Sequence, residues 1–88
     1  MSEERRMNGM QLRDQYIDTL LDRITTVKYP SGELLDRAEN LVYRPEQAER
    51  LVQYLTERVH ASQYPSHQLM DRLERILFDF PGRQAPGT

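Results

Sequence analysis

Three aspartates at four-residue spacing form the first group in the sequence that could bind a ligand. Asp14, Asp18 and Asp22 would lie in an acidic ridge along one side of a helix. Like charges at this spacing repel, and a basic protein partner, arginines of neighbouring helices or a divalent cation could offset the repulsion. Ligands on three successive turns are spread along the helix axis, so no metal site is expected. We favour a solvated helix face, with a basic partner as the alternative.

The tripeptide Tyr-Pro-Ser occurs twice, at residues 29–31 and 64–66. Tyr29 and Tyr64 are therefore candidate partner-binding residues, since two equivalent tyrosines could contact a partner in the same way. We favour a structural interpretation, in which proline ends one helix, serine caps the next and tyrosine packs over the joint.

The residue types that carry out catalysis are sparse. His60 and His67 are the two histidines, and neither has a partner at metal-ligand spacing. Cysteine is absent, and no serine lies in a Gly-x-Ser-x-Gly setting. We therefore expect no enzymatic activity, no catalytic residue, no metal and no cofactor.

Charge and hydropathy exclude two further classes of partner. The 12 basic and 14 acidic residues give a net charge of −2, so there is no basic excess to neutralise the phosphates of a nucleic acid. Apolar runs are too short to span a membrane, and we expect a cytoplasmic protein. Because apolar residues make up 38% of the chain, the core should be small and self-association should help to stabilise it.

The sequence contains an internal repeat. Residues 20–43 align without a gap on residues 55–78, at an offset of 35, and nine of the 24 positions are identical. A duplicated unit of this length is typical of helical-hairpin repeats, although the residues of the tetratricopeptide motif are not present.

Apolar residues recur at three-and-four spacing in four segments, which predicts four helices. We place these helices at about residues 9–27, 32–43, 45–62 and 67–79. The residues expected to cap helices or form turns are Asn8, Pro30, Ser31, Pro45, Pro65 and Ser66. Pro81 should end the last helix.

The predicted architecture is all-α. Two tandem helical hairpins, at residues 9–43 and 45–79, should form a compact four-helix domain over residues 9–80, because short loops make neighbouring helices pack against each other. Residues 1–8 and 81–88 are predicted to be flexible tails. The pattern leaves open whether the hairpins form a closed bundle or an open stack.

The favoured function is a protein–protein interaction or self-associating scaffold module, with a protein or a second copy of the chain as its partner and a dimer as one form. The alternative is a DNA-binding regulator of helix-turn-helix type, in which the second helix of a hairpin would enter the major groove. Acidic residues are interspersed with Arg72 and Arg75 on that helix, so a nucleic-acid partner is not expected.

Overall fold

Four helices account for nearly all of the chain that the structure describes. The computed structural model describes residues 8–64 and 66–83, in which there are four helices and no strand. The predicted all-α four-helix fold is therefore confirmed. Of the predicted tails at residues 1–8 and 81–88, residues 1–7 and 84–88 lie outside the described residues, as does the predicted turn role of Pro65. The helices are α1 (Gly9–Thr26), α2 (Gly32–Leu41), α3 (Pro45–Ala61) and α4 (His67–Arg83).

The predicted helix caps form as expected. The Oδ1 atom of Asn8 accepts from the amide of Gln11 at 2.8 Å, and the Gln11 side chain accepts from the Asn8 amide at 2.9 Å, which is a complete capping box. Ser31 and Ser66 each accept through Oγ from the amide three residues ahead, at 3.1 and 3.3 Å. These bonds satisfy amides that have no partner within the helix.

Two of the three described prolines that were expected to mark helix ends do so. Helix α1 ends at Thr26, before Pro30, and α3 begins at Pro45. Proline suits the first turn of a helix because its missing amide would have had no partner there.

Helix α2 is shorter than predicted. It ends at Leu41 rather than at Tyr43. The side-chain oxygen of Gln47 accepts from the amides of Tyr43 and Arg44, at 3.0 and 3.2 Å. These amides therefore need no helical partner, and Pro45 favours an extended backbone at Arg44.

Helix α4 is longer than predicted, and the expected end before Pro81 is wrong. The helix continues past Asp79 and Pro81 to Arg83. A proline removes one backbone hydrogen bond, here the one to the carbonyl of Leu77. In the last turn of a helix that loss is tolerable, because the carbonyl of Leu77 can accept a hydrogen bond from water instead.

Each hairpin packs its two helices together, and the hairpins then pack on each other. Helix α1 contacts α2, α3 contacts α4, and α1 contacts α3. All four helices contribute to one core. The buried apolar residues are Ile17, Leu20, Leu21, Ile24, Leu35, Ala38, Val42, Ala48, Leu51, Leu55 and Ile76.

The hairpins are stacked side by side with equivalent helices parallel. Asp14, near the start of α1, contacts Gln47, near the start of α3. Beyond the end of α1, the carbonyl of Lys28 accepts from Arg58, near the end of α3. Because Arg72 of α4 reaches α2 in the same way, the molecule has one layer of first helices and one layer of second helices.

Candidate protein-interaction faces

Asp14 of the acidic ridge is built into the joint between the hairpins. Its carboxylate accepts from the Tyr43 hydroxyl at 2.5 Å, from Nε of Arg44 at 3.0 and 3.1 Å, and from Nε2 of Gln47 at 3.1 Å. The loop after α2 supplies Tyr43 and Arg44, and the first turn of α3 supplies Gln47. This side chain therefore positions α3 against α1.

These contacts lower the pKa of Asp14 below its ordinary value of 3.8. The hydrogen bond from Tyr43 is the largest cause and that from Arg44 the next, while burial acts in the opposite direction. A carboxylate whose pKa is lower in the folded state stabilises the fold above its unfolded pKa, and this contribution disappears as the pH falls through the folded pKa.

We therefore predict that Asp14→Asn destabilises the protein at pH 7 and that the difference from the parent narrows below about pH 4. Urea denaturation at a series of pH values measures the difference in the free energy of unfolding between the parent and the variant. Asp18→Asn, on the next turn of the same ridge, is the matched control. A difference between parent and Asp14→Asn that stays constant down to pH 2 would contradict the assignment.

The rest of the ridge is also paired with an arginine. Nη2 of Arg50 on α3 lies 2.7 Å from Asp22, and its Nη1 lies 3.8 Å from Asp18. The ridge thus faces the neighbouring helix, and arginines of this chain offset its repulsion. Both aspartates remain exposed, so these pairs contribute little to stability.

The two repeated tyrosines are exposed, so the predicted packing of tyrosine over each turn is wrong, although the predicted serine caps of the same turns form. Lys28 and Arg58 lie 5.6 and 6.0 Å from the ring centroid of Tyr29 and hold it by cation–π contacts at the surface. Tyr29 is 76% exposed and Tyr64 is 86% exposed. Tyr29 and Tyr64 therefore remain available to a partner.

An ionic cluster centred on the buried Glu39 joins α2 to α4. Nη1 of Arg72 lies 2.6 Å from both Asp36 and Glu39, and Nη2 of Arg75 lies 3.1 Å from Glu39. Burial disfavours the charge on Arg72, but its hydrogen bonds to Glu39 and Asp36 outweigh that effect and raise its pKa. Because Glu39 is buried, the cluster fixes the register of the two second helices.

Comparison of positions related by the 35-residue offset reveals two faces that the joint does not cover. On the first helices, Leu51 of α3 is fully buried, whereas its equivalent Tyr16 on α1 is 49% exposed. Gln47 is 4% exposed and its equivalent Leu12 is 53% exposed. The excess burial on α3 comes from the first hairpin, since nothing equivalent to that hairpin precedes α1 among the described residues.

The second helices differ in the same direction. The side chain of Arg72 on α4 is 16% exposed, whereas that of its equivalent Arg37 on α2 is 58% exposed. Ile76 is buried and its equivalent Leu41 is exposed. The side of α1 and α2 that faces away from the second hairpin is here called the leading face. It carries Leu12, Tyr16, Arg23, Arg37 and Leu41.

The opposite end of the molecule shows the converse. Val42 is 1% exposed and its equivalent Leu77 is 50% exposed. Glu39 is buried and its equivalent Glu74 is exposed. The chain after Val42 turns into α3 and covers it, whereas α4 continues as a helix and leaves Leu77 uncovered. This side of α3 and α4 is here called the trailing face, and it carries Met70, Asp71, Glu74 and Leu77.

No family model, curated protein or solved structure matches this chain. The two faces are therefore assigned from the burial of equivalent residues alone. Among residues 8–64 and 66–83, no helix is long and apolar enough to cross a membrane, and no group of three or more metal-binding side chains lies together.

The two faces were not predicted from the sequence, although a signal for them was present. Leu12 and Tyr16 stand where the second repeat has Gln47 and Leu51. At the first of these positions the first repeat has an apolar side chain that the apolar spacing of its own helix does not require. Residue type separates Leu12 from its equivalent Gln47 but does not separate Tyr16 from its equivalent Leu51, because both are apolar, so the sequence carried only part of the signal.

Tyr54 has a buried hydroxyl with no hydrogen-bond partner among the described residues. It lies beside a shallow cleft between α1 and α3 that Thr25, Arg50 and Glu57 also line. Burial raises the pKa of Tyr54, with Arg58 acting in the opposite direction. An unsatisfied buried hydroxyl lowers stability.

We therefore expect Tyr54→Phe to raise the free energy of unfolding by up to about 1 kcal/mol. Urea denaturation gives the value, and Tyr16→Phe, which removes an exposed hydroxyl, should change nothing. A loss of stability in Tyr54→Phe would mean that the hydroxyl has a partner in solution.

Proposed function

We propose that this protein is a protein-interaction module that binds without catalysing a reaction and acts in the cytoplasm. The observation that carries the proposal is the exposure of Leu12, Tyr16 and Leu77 at positions whose repeat equivalents are buried in the joint. Uncovered apolar side chains on a face that the fold covers in the other repeat are where a protein partner would pack. The module associates with itself or with another protein through its leading and trailing faces.

The small core supports the same proposal. The apolar residues that are buried in the described part of the chain come to eleven, and Ile76 is the single member on α4. Leu69 and Leu73 of α4 pack against this core but are only partly buried. Covering the trailing face of α4 would add apolar burial where the chain supplies least.

The DNA-binding alternative has little to support it. Arg72 and Arg75 are the basic residues of α4 that would contact phosphates, and both are engaged by Glu39. A bound phosphate would have to displace a carboxylate from a buried pair, which is costly. A gel-shift assay at low salt tests this alternative directly.

Affinity capture from the native host at mild salt, together with the solution mass, tests the proposal. The parent should retain a partner or associate with itself. Tyr16→Glu and Leu77→Glu should each weaken the association, because each puts a charge into one face. Gln63→Glu, which puts the same charge on the exposed turn after α3 and outside both faces, is the matched control. The proposal fails if the parent recovers no partner and its mass and melting temperature do not change with concentration.

A further inference from the structure

We infer that the partner of the trailing face is the leading face of a second copy of this chain, docked by the same operation that relates the two hairpins. The inference rests on the proposed function and adds the identity of the partner. It predicts a head-to-tail contact, in which two different faces meet, rather than a symmetric dimer.

The burial pattern fixes the direction of stacking. In a two-fold arrangement of the hairpins, equivalent residues would be equally buried. Here Leu51 is buried and Tyr16 is exposed, while Val42 is buried and Leu77 is exposed. The first hairpin therefore uses its trailing side and the second its leading side at the joint, which leaves one face of each kind uncovered. A contact between two different faces leaves one free face of each kind on every dimer. Further copies can therefore add to it by the same contact.

The residues at the two free faces can reproduce the main contact of the joint. Within the chain, Arg72 reaches across to Asp36 and Glu39. The equivalents of these acceptors on α4 are Asp71 and Glu74, and both are exposed. The equivalent of the donor is Arg37 on α2, which is also exposed. In the stacked arrangement the second copy's Arg37 would pair with Asp71 and Glu74.

The apolar contacts can be reproduced as well. Tyr16 of the second copy takes the place that Leu51 has within the chain, and its Leu41 takes the place of Ile76. Leu77 supplies the surface on which they pack, and Met70 lies on the same side of α4, two turns before Leu77. The leading face adds exposed Arg23 opposite the acidic trailing face, so the charges are complementary.

One feature of the joint has no counterpart at the free faces. Asp14 is held by Arg44 and by the hydroxyl of Tyr43. The equivalent of Asp14 is Glu49, that of Arg44 is Gly9 and that of Tyr43 is Phe78. This hydrogen-bonded network cannot form between two copies. Contact between copies is therefore weaker than the joint within the chain, and the fraction of chains that are associated should rise with protein concentration.

A mixing experiment tests the inference. Tyr16→Glu disables the leading face and Leu77→Glu disables the trailing face, while each variant keeps the other face intact. In sedimentation velocity at rising concentration, the parent should grow beyond a dimer and each variant alone should remain a monomer. An equimolar mixture of the two variants should form a dimer and stop there, because one intact face of each kind is present.

Either of two results would overturn the inference. Association of one variant alone to the same extent as the parent would mean that identical faces meet. A parent that stays monomeric at every concentration would mean that the second copy is not the partner. If that monomer still retained a host protein through Tyr16 or Leu77, the proposed function would stand and only the head-to-tail contact would fall.

A charge-reversal pair gives an independent readout. Arg37→Glu should abolish association of the chain, and Glu74→Arg should do the same. Combining both changes in one chain should restore association, because the ion pair re-forms with its charges exchanged. Failure of the double variant to recover, in a chain whose helical circular dichroism matches that of the parent, would contradict the assigned contact.

Discussion

Replacing Arg72 with alanine should lower the free energy of unfolding by roughly 2–4 kcal/mol. The substitution leaves Glu39 buried with part of its compensating charge gone, and an uncompensated buried carboxylate is strongly destabilising. Arg75 stays within 3.1 Å of Glu39 and limits the loss. Urea denaturation followed by circular dichroism measures the change.

Arg37→Ala is the matched control for this prediction. Arg37 occupies the equivalent position in the first repeat and pairs at 3.7 Å with Glu33 on the surface of its own helix. An exposed pair of this kind is worth less than about 1 kcal/mol. Equal destabilisation by the two substitutions would mean that the repeats are equivalent in the folded state, contrary to the stacked arrangement.

Replacing Leu51 with alanine should cost about 2–5 kcal/mol, because it opens a cavity in the joint between the hairpins. Leu51 is fully buried where α3 packs on the first hairpin. The same measurement applies, and a fall in the unfolding midpoint should accompany it.

The equivalent substitution in the first repeat, Tyr16→Ala, should cost less than about 1 kcal/mol in the monomer, since half of that side chain already contacts water. If Tyr16→Ala were as damaging as the change at Leu51, the leading face would be covered by part of this chain. That result would remove the basis of the proposed interaction surface.

Local signals in the sequence were sufficient to predict the helices. Asn8 and Ser31 are followed by helical apolar spacing, and each cap forms one hydrogen bond to an amide three residues ahead, so the information lies within four residues. The end of α2 could not be predicted in this way, because Gln47 on the next helix supplies the acceptor. The end of α4 could not be predicted from Pro81 alone, because water can replace the single hydrogen bond that this proline removes.

The candidate site was harder to predict because exposure depends on which hairpin lies next to which. Asp14 looks the same in sequence as a solvated residue, and only the fold brings Tyr43 and Arg44 to it. Leu12 and Tyr16 fit the expectation for an amphipathic helix with an irregular face. Their significance emerges only when each is compared with the buried residue at the same place in the other repeat.

A concentration series of amide NMR spectra tests the head-to-tail contact most directly. We predict that resonances on the leading face, around Tyr16 and Arg37, and on the trailing face, around Glu74 and Leu77, shift together as the concentration rises. Resonances around Leu51 in the joint should stay in place. Shifts confined to one face, or no shifts at either face up to the highest soluble concentration, would contradict it.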